Sequence, residues 1–240
     1  MSDPLHQFTI KPIVALDICG VDISFSNSSF YMTLALVCAT VFFICGIFRA
    51  SIIPNRYQSI VEIIYTFVFD IFNENVGEKG KKYFAFVFCL FIFILTGNIL
   101  GMVPYSFTYT SHIIVTFGLA MIVFLVSTAI GFARHGLNYF SLFFPSGAPI
   151  YMAPLIVPIE ILSYLSRPVS LSIRLFANMM AGHTMLKVFA GFTVVLGLFG
   201  IGPLFINVLL TAFEILVAIL QAYVFTILTC IYLHDAVHLH

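Results

Sequence analysis

Charge is scarce in this chain. Only 8% of its 240 residues are Asp, Glu, Lys or Arg, against the roughly 25% typical of soluble domains. Too few charged groups remain to solvate a water-facing surface, and no stretch is left over for a soluble domain. Ten basic and ten acidic residues cancel to a formal net charge of zero, which argues against nucleic acid and against acidic ligands in bulk. The five cysteines, Cys19, Cys38, Cys45, Cys89 and Cys230, form no CxxC and no metal-ligand spacing. Four of them lie in apolar segments, where a free thiol reads as a small buried core residue. No cofactor and no metal are expected. The N-terminal stretch carries Asp3 and Asp17 and lacks a basic start followed by an apolar core, so a cleavable signal peptide is not expected.

Apolar residues fill the space that charge leaves. At 61% hydrophobic, the chain predicts a single membrane domain over residues 1–240. The fold class expected is an all-α integral membrane protein with about five membrane-embedded helices plus one interfacial amphipathic helix, ending in a long, steeply tilted helical hairpin. Residues 30–48 read as the first span, followed by Arg49 and the breaker Pro54. Over 55–76, Arg56, Gln58, Glu62, Asp70, Asn73 and Glu74 alternate with Ile and Phe, the pattern of a helix lying in the interface. Residues 83–103 and 111–132 read as the second and third spans, separated by a loop at Pro104.

The basic residues are unevenly placed. Arg49, Arg56, Lys79, Lys81, Lys82 and Arg134 all fall between spans, whereas the loop from Pro104 to His112 holds no Lys or Arg. The positive-inside rule puts the first group in the cytoplasm or matrix and that loop outside. The N-terminus is then outside and the C-terminus inside.

Two further apolar runs are too long for a perpendicular span. One covers 149–190, 42 residues with prolines at 149, 154, 158 and 168; the other covers 203–233, 31 residues. Fully helical, the second would be about 46 Å long, against a hydrocarbon core of about 30 Å. Tilt or burial against protein is required. Gly191, Gly197, Gly200 and Gly202 between them predict the turn of a hairpin.

Polar residues dot both arms: Glu160, Arg167, Ser170, Arg174, Asn178 and His183 on the first, Asn207, Glu214, Gln221 and Asp235 on the second. An antiparallel register that pairs His183 with Glu214 also brings Arg174 opposite Gln221 and Glu160 opposite Asp235. At about 100° per residue, Glu160 and Asn178 each lie about 40° from Arg174, and His183 points the opposite way. Arg174 is the anomaly. A guanidinium keeps its proton, and at mid-bilayer it costs about 2.5 kcal/mol or far more. No counter-ion stands beside it, because Glu160 is about 21 Å away along an ideal helix. A fixed cation between two offset polar pockets is what proton passage through a dry barrier needs, since carboxylates and imidazole exchange protons and arginine does not. The missing carboxylate is then expected on another subunit.

Blander readings accompany these. Asn178 and Gln221 could act as helix-packing glue. Glu160 could snorkel to the interface, and Asp235 could be a terminal surface acid. Arg167, before Pro168, reads as structural, and Lys187 as an outer-interface anchor. The spacing of His234, His238 and His240 is too loose for a metal site. A self-contained secondary transporter or channel using the same charges is the alternative function, though no second copy of the Arg-Leu-Phe-x-Asn run marks an internal repeat. A purely structural assembly subunit is a third, which leaves the mid-membrane arginine unexplained.

The runs SLSIRLFANMMAGH, PLIVPIEILSYLSRPVS and FEILVAILQAYVFTILTCIYLHDAVHLH, with TGNILGMVPYSFTYTSHI and DPLHQFTIKPI upstream, closely resemble subunit a of the F-type ATP synthases. The resemblance covers nearly the whole chain and is of the mitochondrial and alphaproteobacterial type. It implies a non-catalytic, proton-translocating stator subunit that forms two offset half-channels against a rotating c-ring. By this resemblance Arg174 matches the essential stator arginine, with Asn178 and Gln221 as its polar neighbours. His183 and Glu214 match the outer access channel, and Glu160 with Asp235 the inner one. The partners implied are the c-ring, subunit b of the peripheral stalk and membrane lipids. The location implied is the mitochondrial inner membrane, or the plasma membrane of an alphaproteobacterium.

Overall fold

The protein is described by a computed structural model over residues 9–10, 12–14, 17–18, 21–22, 24–48, 50–103, 106–136, 138–139 and 150–238. Cys19, Arg49, Pro104 and Pro149 lie outside the described residues. Two short antiparallel ribbons come first, β1 (Pro12–Val14) with β4 (Phe25–Ser26) and β2 (Asp17–Ile18) with β3 (Val21–Asp22). They were not expected. Among the described residues six α-helices follow: α1 (Asn27–Ile47), α2 (Arg56–Asn75), α3 (Phe84–Gly101), α4 (Ile113–His135), α5 (Ala153–Leu196) and α6 (Ile201–Val237). All but α2 belong to segments long and apolar enough to cross a membrane.

Local chemistry explains where these helices start and stop. Ser26 caps α1 by accepting from the Ser29 N–H, which satisfies one of the orphan donors of a first turn. The basic turn Glu78–Tyr83 is a 3-10 segment leading into α3. At the other end of the hairpin, α5 runs through Gly191 to Leu196. Gly197, at φ +54°, ends it, and Gly197–Gly200 forms the turn into α6. The turn is therefore shorter than the glycine pattern suggests, because Gly191 costs a helix only about 1 kcal/mol whereas Gly197 adopts a backbone that other residues rarely take.

At about 1.5 Å per residue, the 44 residues of α5 and the 37 of α6 are about 66 and 55 Å long. Both far exceed the hydrocarbon thickness, so the hairpin has to lie steeply tilted. Pro158 and Pro168 stand inside α5. Each removes one N–H from the ladder, which membrane helices tolerate where neighbours re-satisfy the freed carbonyl.

The core is made by α2, α3, α4, α5 and α6 together. Val68, Phe91, Ile94, Val123, Leu171, Leu175, Ala222 and Phe225 meet in one cluster, and Phe72, Val87, Ile130, Leu233 and Val237 in a second. The buried side of α2 supplies Val61, Val68, Ile71 and Phe72, while Glu62, Asp70, Asn73 and Glu74 are exposed. That two-sidedness suits an interfacial helix. At one end Arg134 donates to the Lys79 carbonyl at 2.8 Å and lies over the Tyr83 ring. The close of α4 and the basic turn before α3 therefore share an end of the molecule, and the segment Ser106–His112 lies at the other end of these two helices.

Candidate functional site in the helical hairpin

On α5, Pro168, Leu171, Ser172, Leu175, Met179 and His183 are buried against the bundle, at steps of three, one, three, four and four. This is the inward stripe of a helix. Arg174 is exposed and sits on the other side, with Ser170, Ile173, Ala177 and Ala181 also exposed. Among the described residues Arg174 has neither a hydrogen bond nor an ion pair. A charge in a long apolar stretch thus faces whatever lies outside this chain.

The part of the hairpin seam nearer the α5–α6 turn holds the most enclosed ionisable pair among the described residues. His183 is 7% exposed and Glu214 5%, with His183 Nδ1 3.5 Å from Glu214 Oε1. The Thr108 hydroxyl, from the segment between α3 and α4, is 3.0 Å from His183 Nε2. Neither Glu214 oxygen has a hydrogen-bond donor among the described residues. A buried carboxylate in that situation is costly as an anion. The Glu214 carboxyl also lies so close to Gly182 that a Cβ there would overlap it. Only glycine at 182 leaves the acid its place.

Further in, Asn178 Nδ2 donates to Gln221 Oε1 at 2.8 Å. Gln221 is 3% exposed, and its own Nε2 finds no partner among the described residues. Asn98 donates to the Ala218 carbonyl at 3.1 Å, and Thr116 and Ser172 hydroxyls are 3.1 Å apart. Polar groups therefore continue along the buried side, from His183 toward the level of Arg174.

Toward the C-terminal end of α6 the seam differs from the register predicted. Asp235 pairs with Arg167, at 2.8 Å between Nη1 and Oδ2, and not with Glu160. Gln221 meets Asn178 rather than Arg174. Two helices packed ridge into groove cross at an angle, so no constant register can hold along their length. The long arginine side chain adds reach. Arg167 also lies over the rings of Tyr164 and Tyr232, and the Tyr164 hydroxyl meets Thr128 at 2.6 Å and Tyr139 at 2.9 Å. Glu160 is half-buried nearer the start of α5, with neither a hydrogen bond nor an ion pair among the described residues.

The sequence marks Arg167 only as structural, without its partner, and does not single out Thr108. An arginine before a proline carries no sign of its partner, and a threonine in a loop carries none either. Arg167 is testable as a clamp on the open end of the hairpin, away from the α5–α6 turn. The pair is about 30% exposed on each side, so truncating one partner is expected to cost about 1 to 2 kcal/mol, below the 3 to 5 kcal/mol of a fully buried pair. Thermal unfolding in detergent of Arg167→Gln, Asp235→Asn and the double variant measures it. The double variant is expected to lose less than the two single losses added together; strict additivity would mean that the two side chains do not act as a pair.

Fold and site together define a multi-pass helical membrane protein with ionisable and amide groups strung along the seam of a long hairpin and with Arg174 exposed on the side of α5 turned away from the bundle. The chain belongs to the ATP synthase A chain family, whose model matches residues 29–234. It is 54% identical over 241 residues to ATP synthase subunit a of Rhodospirillum rubrum, covering all of both chains. It is 51% identical over 247 residues to that of Paramagnetospirillum magneticum, again over the whole of both. With the subunit of Parvibaculum lavamentivorans it shares 52% over 243 residues, 98% of this chain and 94% of the other.

Proposed function

We propose that this chain is the proton-conducting stator subunit of the membrane sector of an F-type ATP synthase, and that it carries no adenylate chemistry itself. The observation that carries the proposal is the position of Arg174. It is exposed beside small and apolar neighbours, without a partner among the described residues, on the side of α5 opposite His183. An unpaired guanidinium at membrane depth is expensive, and a carboxylate brought to it by a c-ring would relieve that cost and be held in its charged form. His183 and Glu214 serve the outer access path, Glu160 and Asp235 the inner one, and Asn178 with Gln221 flank the arginine between them. Protons reach the ring carboxylate from one side of Arg174 and leave on the other, so passage requires the ring to turn.

Subunit b of the peripheral stalk and membrane lipids are the other partners in this reading. The relatives named above are bacterial, which favours the plasma membrane over the mitochondrial inner membrane. The N-terminus outside and the C-terminus inside is part of the same reading, supported by the basic turn at Lys79–Lys82 and Arg134 sharing one end of the molecule. Purification in mild detergent tests the assignment. A c-ring and a b subunit are expected to co-purify, and the reconstituted complex is expected to acidify vesicles on ATP addition in sodium-free buffer. A chain that purifies alone and conducts without a ring would overturn it.

A further inference from the structure

The segment between α3 and α4 reaches into the outer path at one atom. Thr108 is 1% exposed, and its hydroxyl lies 3.0 Å from His183 Nε2 and 3.3 Å from the Gly101 carbonyl oxygen. A threonine hydroxyl has one proton to donate, so it can serve only one of these two acceptors. The Gly101 carbonyl is at the C-terminal end of α3, where carbonyls lack a helical donor. Ser106 approaches it at 3.1 Å, but the Ser106 hydroxyl is closer to the Leu100 carbonyl, at 2.7 Å. With the Ser106 proton spent on Leu100, the Thr108 proton is the one left for Gly101. The close packing at Gly101 supports a fixed position for Thr108, since a Cβ on that glycine would meet both Thr108 Oγ1 and Cγ2.

We infer that Thr108 is a positioning residue that sets the tautomer of His183. With its proton on the Gly101 carbonyl, the Thr108 oxygen presents only lone pairs to His183, so Nε2 must carry N–H. The lone pair of neutral His183 is then at Nδ1, facing Glu214 Oε1 at 3.5 Å. Two bare acceptors cannot share that gap favourably, so a proton occupies it, on the Glu214 carboxyl or on Nδ1. Transfer breaks the Glu214 O–H bond as the Nδ1–H bond forms, giving carboxylate and imidazolium, and the reverse step restores both neutral groups. In the opposite tautomer Nδ1–H would point at Glu214 and Nε2 at Thr108. Histidine could then accept a proton only on the side away from the acid. Among the described residues, the charged or titratable groups set against His183 are Glu214 from α6 and Lys187 one turn along α5.

This inference rests on the outer-path role proposed for His183, and the test separates the two. In wild-type complex with ¹⁵N-labelled histidine, solid-state NMR is expected to show neutral His183 as the Nε2–H form, its signal identified by loss in His183→Gln. A neutral Nδ1–H form would overturn the inference without any variant that might fail to fold. In vesicles stripped of the catalytic sector, Thr108→Val is expected to lower proton conductance about tenfold, the effect of losing one hydrogen bond, and to shift its pH profile, while Thr108→Ser restores both. Wild-type conductance in Thr108→Val, or equal loss in Val and Ser variants, would overturn the role of Thr108 and leave that of His183 intact. Unchanged conductance in His183→Gln would instead remove the outer-path reading itself.

Discussion

Replacing Arg174 with alanine is expected to abolish coupled ATP synthesis in membranes while the complex still assembles. Arg174 is exposed on α5 and contributes to no core cluster, so its loss leaves the bundle intact. What disappears is an attraction of about 4 kcal/mol for a carboxylate at about 4 Å, using an effective dielectric of about 20. That corresponds to roughly a thousandfold change in how firmly the ring carboxylate is held ionised. Arg174→Lys is expected to fail too, though less completely, because a desolvated ammonium can give up its proton and a guanidinium does not. Respiration-driven synthesis, normalised to assembled complex by immunoblot, measures both. Synthesis at the wild-type rate in the alanine variant would remove the central claim.

Glu214→Gln is expected to cut proton flux by roughly a hundredfold, the lower end of what a positioned acid or base contributes. The amide matches the carboxyl in shape and fits beside Gly182, so packing is preserved. It cannot exchange a proton with His183. Passive conductance of vesicles stripped of the catalytic sector, followed across pH, checks this, and Glu214→Asp should recover part of the flux. Flux that stays at the wild-type level at every pH would mean that Glu214 is a buried structural acid. The two variants are expected to differ in kind: Arg174→Ala uncouples ion flow from synthesis, whereas Glu214→Gln slows both together.

Much of this arrangement is legible in the chain because depth and face follow from local pattern. Apolar runs separated by basic, proline- or glycine-containing turns mark five spans, and mixed polarity sets α2 apart from them. The step of nine residues from Arg174 to His183 amounts to about two and a half helical turns, enough to place the cation and the imidazole on opposite sides of α5. The identities of the ionisable groups in the hairpin are equally plain, since each is rare in its surroundings. Glycine spacing located the turn only loosely, because helix α5 absorbs Gly191 and breaks at Gly197.

Hydropathy and periodicity say how deep a side chain lies and which way it points, and the sequence by itself determined that much: a tilted apolar hairpin, a fixed cation on one face, and an acid and a histidine on another. Which atoms touch was decided by the tertiary structure. Arg167 reaches Asp235 across 68 positions of sequence, and Thr108 reaches His183 across 75. Those partners depend on the crossing angle of packed helices and on where an irregular segment folds back into the bundle. Both are set by the fit of many distant side chains at once, and neither leaves a periodic trace in the chain.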